Sequence, residues 1–172
     1  MRTAAGSAAV FHPERLVAVL GRFKVSYVFA GSIAARLHGS PLVTSIAEII
    51  PALTPQNFEA LTSALTHVAA RRYAEAVPEG SELEISPDSL ASEREWELAT
   101  SCGRLRVAFR VAGVGYAELA PNAVRFAIHG DEISVASLAD LVRLHEAPRA
   151  DDDAAQAAAL RSLLDRQQAV RR

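Results

Sequence analysis

Apolar positions along the chain recur with two periods, about three and a half and two, and the switches between them outline the elements. Behind Pro13, which suits a first helical turn, Leu16, Val17, Leu20 and Phe23 share one helical face. Val25 to Ala30 is β-branched and aromatic and predicts a buried strand. Gly31 and Ser32 are expected to turn into a short helix, Ile33 to His38, which Gly39-Ser40-Pro41 ends; Val43 to Ile50 predicts a second strand. Thr54 and Pro55 offer an N-cap and a first-turn proline, and Phe58, Leu61, Leu65 and Val68 carry that helix to Ala70. Arg71 to Pro87 is turn-rich and shows neither period, and Ser89 to Arg94 suits one helical turn.

Further along, Trp96 to Thr100 and Leu105 to Val111 predict a hairpin joined across Ser101-Cys102-Gly103-Arg104. Tyr116 to Leu119 reads as a short helix, and Ala123 to Ile128 and Glu132 to Val135 as strands around His129-Gly130-Asp131. Ser137 and Asp140 form a capping box, with Asp in the usual Glu position, at the start of a helix from Leu138 to Glu146. Asp151 to Val170 predicts a last helix, with acids at its start and arginines at its end, an order that suits the helix dipole. Its Leu160, Leu163 and Leu164 would pack on its own domain rather than on a second copy. The expected class is α/β (α+β): a small mixed sheet of four to six strands flanked by helices. Residues 1–11 read as a flexible tail and 12–172 as a single domain.

Composition narrows the function classes. Half of the 172 residues are apolar and 22% charged, ordinary values for a globular chain long enough to bury its own core. A net charge of −2 leaves no general basic field, so nucleic-acid binding by phosphate attraction alone is not expected. The single cysteine, Cys102, excludes an internal disulfide; no Cys/His cluster has zinc spacing, and the thiol at a turn reads as incidental. The stretch MRTAAGSAAVFHPERL lacks a signal-peptide core, and no apolar run is long enough to span a membrane. A cytoplasmic location is the expectation.

The chemistry-bearing stretch is YVFAGSIAARLHGSPLVTSIAEIIP, Tyr27 to Pro51. A glycine after a strand lets the backbone bend and approach a ligand, the next helix start presents unpaired N–H groups, and Ser32 adds a hydroxyl. Alone, that is more often a turn with a cap than a site. The wider order of Gly31-Ser32, His38-Gly39, Val43-Thr44 and Pro51 resembles the core motif of the nucleotidyltransferase superfamily. It is similar to small bacterial nucleotidyltransferase-like proteins, some of which act in toxin–antitoxin pairs. WELATSCGRLRVAFRVAGVGYAEL looks like that family's strand with a third acid, and the run from His129 to Leu160 looks like its C-terminal helical part. The likeness covers roughly residues 25–165.

The resemblance implies a nucleotidyltransferase fold, a nucleoside triphosphate, and Mg²⁺ ions held by three carboxylates, because magnesium prefers hard oxygen ligands. The three acid positions fall on Ile46, Glu48 and Arg106. Ile46 cannot coordinate a metal, Glu48 keeps one carboxylate a methylene further out, and Arg106 reverses the charge. Leu42 stands where an arginine is common. The expectation is a catalytically inactive or impaired protein that binds a nucleotide or a partner protein. Glu48 would be its residual acid, Gly31, Ser32, Arg36 and Arg106 its phosphate contacts, and no cofactor or metal is expected. The alternatives are an active Mg²⁺-dependent, toxin-like enzyme transferring a nucleoside monophosphate to RNA or protein, and a structural or interaction module.

Other candidates read more plainly. Glu82 and Glu84 would share a face if SELEIS is a strand, and Asp151-Asp152-Asp153 suits a solvated helix start. His38 is expected to satisfy a local backbone group near its helix end, with a catalytic role the sharper and less favoured reading. Trp96 is expected in the core rather than as a base-stacking platform. Glu48 and Arg106 are placed to pair where metals would otherwise lie.

Overall fold

The computed structural model describes residues 9–146 and 154–171. Asp151, Asp152 and Asp153 lie outside the described residues, as does most of the expected tail. α1 (Pro13–Arg22) buries Leu16, Val17 and Leu20 and ends where Lys24 takes a left-handed φ of 56°. The Val25 N–H donates to Leu20 O, so β1 (Tyr27–Ala30) begins two residues later than its β-branched run suggests. α2 (Gly31–Leu37) and β2 (Ile46–Pro51) follow, then α3 (Pro55–His67), capped by the Thr54 side chain, which accepts from the Asn57 N–H at 3.2 Å.

α3 stops short of Ala70. Ala69 has φ 50°, and its N–H and that of Ala70 fold back onto Thr66 O and Leu65 O. That is a left-handed helix end made without glycine, so nothing in the sequence marks it. The segment from Arg71 to Pro87 that showed no period contains a hairpin, β3 (Arg71–Ala74) and β4 (Val77–Ser81). Its strands are largely exposed and polar, with Pro78 and Gly80 inside, which removes the alternation that reveals a strand. Gly80 is required there: φ is 83°, and a side chain would begin 2.5 Å from Arg71 Cβ.

α4 (Pro87–Ala91) precedes β5 (Glu95–Thr100) and β6 (Gly103–Ala108). The expected strand to Val111 breaks after Ala108, and β7 (Arg110–Val111) turns back as a separate small hairpin with β8 (Val114–Gly115). α5 (Tyr116–Leu119), a 3₁₀ turn, β9 (Val124–Ile128), β10 (Asp131–Val135), α6 (Leu138–Glu146) and α7 (Ala154–Val170) complete the chain. At α6, Ser137 Oγ accepts from the Asp140 N–H at 3.1 Å and donates to Asp140 Oδ2 at 3.0 Å, so Asp140 closes the box on the hydroxyl.

Among the described residues, eight strands form one mixed sheet in the order β4-β3-β5-β6-β2-β1-β10-β9, larger than the four to six expected. The two overlooked strands, β3 and β4, account for much of the difference. β2 runs parallel to β6 and β1 parallel to β10; the other pairings are antiparallel. The register places Phe29, Ile49, Val107 and Trp96 in one row on one face, all buried. Trp96 Nε1 donates to Leu90 O of α4 at 3.0 Å, so Trp96 is a core residue. The row through Ala30, Glu48, Arg106 and Glu97 lies on the opposite face. α2 packs over the β1–β2 end of that face, with α6 and α7 against α2.

α7 docks on its own domain, through the fully buried Leu160 and a hydrogen bond from Ser40 Oγ to Gln156 at 3.3 Å. His38 Nε2 lies 2.8 Å from Ala136 O. A carbonyl only accepts, so that nitrogen carries the proton. The backbone group that His38 satisfies is 98 residues away in sequence, not local as expected. Among the described residues no helix is long and apolar enough to cross a membrane.

Candidate functional site

The site begins where β1 becomes α2. Ala30 is extended, at φ −129° and ψ −167°, and Gly31 takes φ 64° as the first helical residue. The expected Gly-Ser turn is therefore the first turn of the helix itself, and Ser32 is its second residue rather than its cap. A side chain at Gly31 would begin 3.0 Å from Glu48 Cβ and 3.5 Å from Glu48 Cδ. Backbone angle and crowding both demand glycine here.

Glu48 is 5% exposed and lies opposite Ala30 on one side and Arg106 on the other. Arg106 Nη1 is 3.5 Å from Glu48 Oε2. Its Nε donates to Glu97 Oε1 at 2.8 Å, its Nη2 donates to the same oxygen, and Glu95 Oε1 lies 4.0 Å from Nε. Glu97 in turn accepts from Arg104 Nη2 at 2.8 Å, and the Arg104 guanidinium stacks 3.6 Å from the Tyr73 ring centroid. Three carboxylates thus surround two guanidinium groups across β2, β6 and β5.

The ion pair between Glu48 and Arg106 forms as the sequence suggests. Gly31, Glu48 and Arg106 come together. Ile46 sits at the start of β2 opposite Arg104, half-buried and without a donor atom. Arg36 lies exposed in the last turn of α2, where a cation suits the helix dipole. Glu82 and Glu84 follow the end of β4 and are exposed, so they share no strand face.

Glu97, Glu95, Arg104 and Tyr73 belong to the network without having been picked out from the sequence. Glu97 was hidden by turn length. A four-residue turn over 101–104 would pair Glu97 with Ala108, whereas the real turn pairs Thr100 with Gly103 and so brings Glu97 opposite Arg106. Gly103, at φ 106°, was the available signal for a tighter turn.

A pair of divalent cations needs convergent hard oxygen donors. The carboxylates here converge on a guanidinium instead. Among the described residues no three His, Cys, Asp or Glu side chains form a group that could hold a metal ion. Among the described residues the donor set does not fit the magnesium that the family resemblance would imply.

No family model matches the sequence, and none of the curated proteins matches it. Among solved structures, the chain is similar to the solution structure of the antibiotic-resistance factor ANT(2'')-Ia, an aminoglycoside nucleotidyltransferase. The TM-score is 0.56 at 12% identity, over 91% of this chain and 83% of that one. The fold is nucleotidyltransferase-like. Within that fold, the strand pair β2–β6 carries Glu48 and Arg106 beside the start of α2.

Proposed function

We propose that this protein is a non-catalytic member of the nucleotidyltransferase fold that acts by binding a partner protein. The observation behind this reading is the Arg106 guanidinium held between Glu48 and Glu97. The acid positions implied by the family resemblance fall on Ile46, Glu48 and Arg106, so only one of the three keeps a carboxylate, and that one is paired with Arg106. Seating Mg²⁺ beside Glu48 would require Arg106 to leave, and moving one member of a buried pair costs about 3–5 kcal/mol. Electrostatic arrangements of this kind dominate catalytic rate, and losing even one stabilising group typically costs about 10²–10³-fold.

A protein partner fits better than a nucleotide. Arg104 and Arg106 are both engaged by carboxylates, and three acids against two bases give a phosphate chain an unfavourable field. The likeness to proteins of toxin–antitoxin pairs suggests one setting for such a partner. Calorimetric titration with each common ribonucleoside triphosphate, with and without Mg²⁺, tests the reading alongside a pyrophosphate-release assay. The expected outcome is no Mg²⁺-dependent binding and no release. Mg²⁺-dependent binding with pyrophosphate release, abolished in Glu48→Gln, would establish the active alternative instead.

A further inference from the structure

A second concave site shares no residue with the ion-pair network. It lies between the start of α3, the segment after α4 and the β7–β8 hairpin, and encloses about 620 Å³. That volume falls within the roughly 300–1,000 Å³ typical of small-molecule sites. Phe58 and Phe109 line it, their ring centroids 5.3 Å apart and tilted by 43°. Leu53, 49% exposed, adds apolar surface to the same cleft.

The rim is cationic. Glu93 is engaged by both terminal nitrogens of Arg72, at 2.6 and 3.3 Å. Arg110 donates to Gly113 O at 2.7 Å and lies 3.5 Å from Glu118, which holds it at the edge of the hairpin. Arg94 is exposed and forms no ion pair among the described residues. Its carbonyl accepts the Phe109 N–H at 3.1 Å, which fixes the Arg94 backbone beside Phe109, and Arg94 lines the cleft.

We propose that this cleft binds a small aromatic anion, a carboxylate or sulfonate on a planar ring system. Its ring would pack on Phe58 and Phe109 and against Leu53, and its acid group would pair with Arg94. The partly exposed Phe58 ring, 5.3 Å from the buried Phe109 ring, favours a further ring over an alkyl chain. A charge-assisted contact from a guanidinium selects the acid. The site is independent of the proposed function: it can hold whether or not the Glu48–Arg106 network is catalytic.

The test uses the full chain and 8-anilinonaphthalene-1-sulfonate as the probe, followed by its fluorescence. Binding should saturate at one site per chain. Arg94→Glu and Leu53→Asp, both at exposed positions, should each weaken it about tenfold or more, at unchanged circular dichroism. The amide signals of Phe109 and Gly113 should shift on titration in nuclear magnetic resonance spectra. Three results would each overturn the assignment: absence of saturable binding; equal affinity in the parent and both variants, which places the dye elsewhere; or equal affinity for the neutral analogue N-phenyl-1-naphthylamine, which removes the role of Arg94.

Discussion

Asn57 and Arg106 are both polar side chains withdrawn from water beside the sheet, and they are held in opposite ways. Asn57, at the start of α3, accepts from the Ser26 N–H at 2.7 Å and donates to Ser26 O and Ala52 O, both at 2.9 Å. All of its partners are backbone atoms flanking β1 and β2, so its geometry is fixed by the fold and fixes it in return. Arg106 is held by side chains alone in the contacts described above, each of which is a choice of residue at one position. A neutral group satisfied by backbone stabilises the fold; a buried ion pair often adds nothing over an apolar pair of the same size. The contrast separates a part of the molecule explained by folding from a part that folding does not require.

The largest effect should come from the first. Asn57→Ala leaves Ser26 and Ala52 backbone groups without partners and is expected to cost about 3 kcal/mol or more in urea unfolding. Arg106→Met comes next, at about 3 kcal/mol, the lower end for a broken buried pair, because Glu48 loses its guanidinium. Adding Glu48→Gln should recover much of that loss. A double variant that costs as much as the two single changes summed would show that the pair is not coupled, and the contrast with Asn57 would fail.

The smallest effect concerns pH. Hydrogen bonding to Arg72 holds the Glu93 carboxyl below its ordinary value of 4.5, and the Gly115 N–H does so first among the causes for Glu118. Both folded values are depressed, so their contribution to stability is present above about 4.5 and is lost as pH falls through the lower folded values. Both groups are solvent-exposed, so the loss should be slight. Thermal midpoints followed from neutral pH into acid should decline slightly less steeply in a Glu93→Gln, Glu118→Gln double variant than in the parent.

Much of this organisation was legible in the chain because the signals were local. Pro13, Thr54-Pro55 and Ser137 mark helix starts by chemistry that acts within one turn, and β-branched runs such as that ending at Ala30 mark buried strands. Glu48 and Arg106 were legible through an ordered set of short motifs rather than through periodicity. What stayed hidden depends on distant pairing. β3 and β4 are strands only because β5 supplies an edge to build on, and Glu97 joins Arg106 only because a turn is two residues shorter than it looks. The left-handed end of α3 at Ala69 carries no glycine to announce it.

β1 lies between β2 and β10, with Phe29 paired to Ile49 on one side and to Val135 on the other. During synthesis its first neighbour emerges within some twenty residues, while the second arrives more than a hundred residues later. Until then a nascent chain presents one unsatisfied margin of an otherwise buried strand, open to misassociation. Long-separation contacts of this kind slow folding. The last third of the polypeptide is therefore what completes the centre of the molecule, and a ribosome-stalled fragment ending before Val135 is expected to stay protease-sensitive.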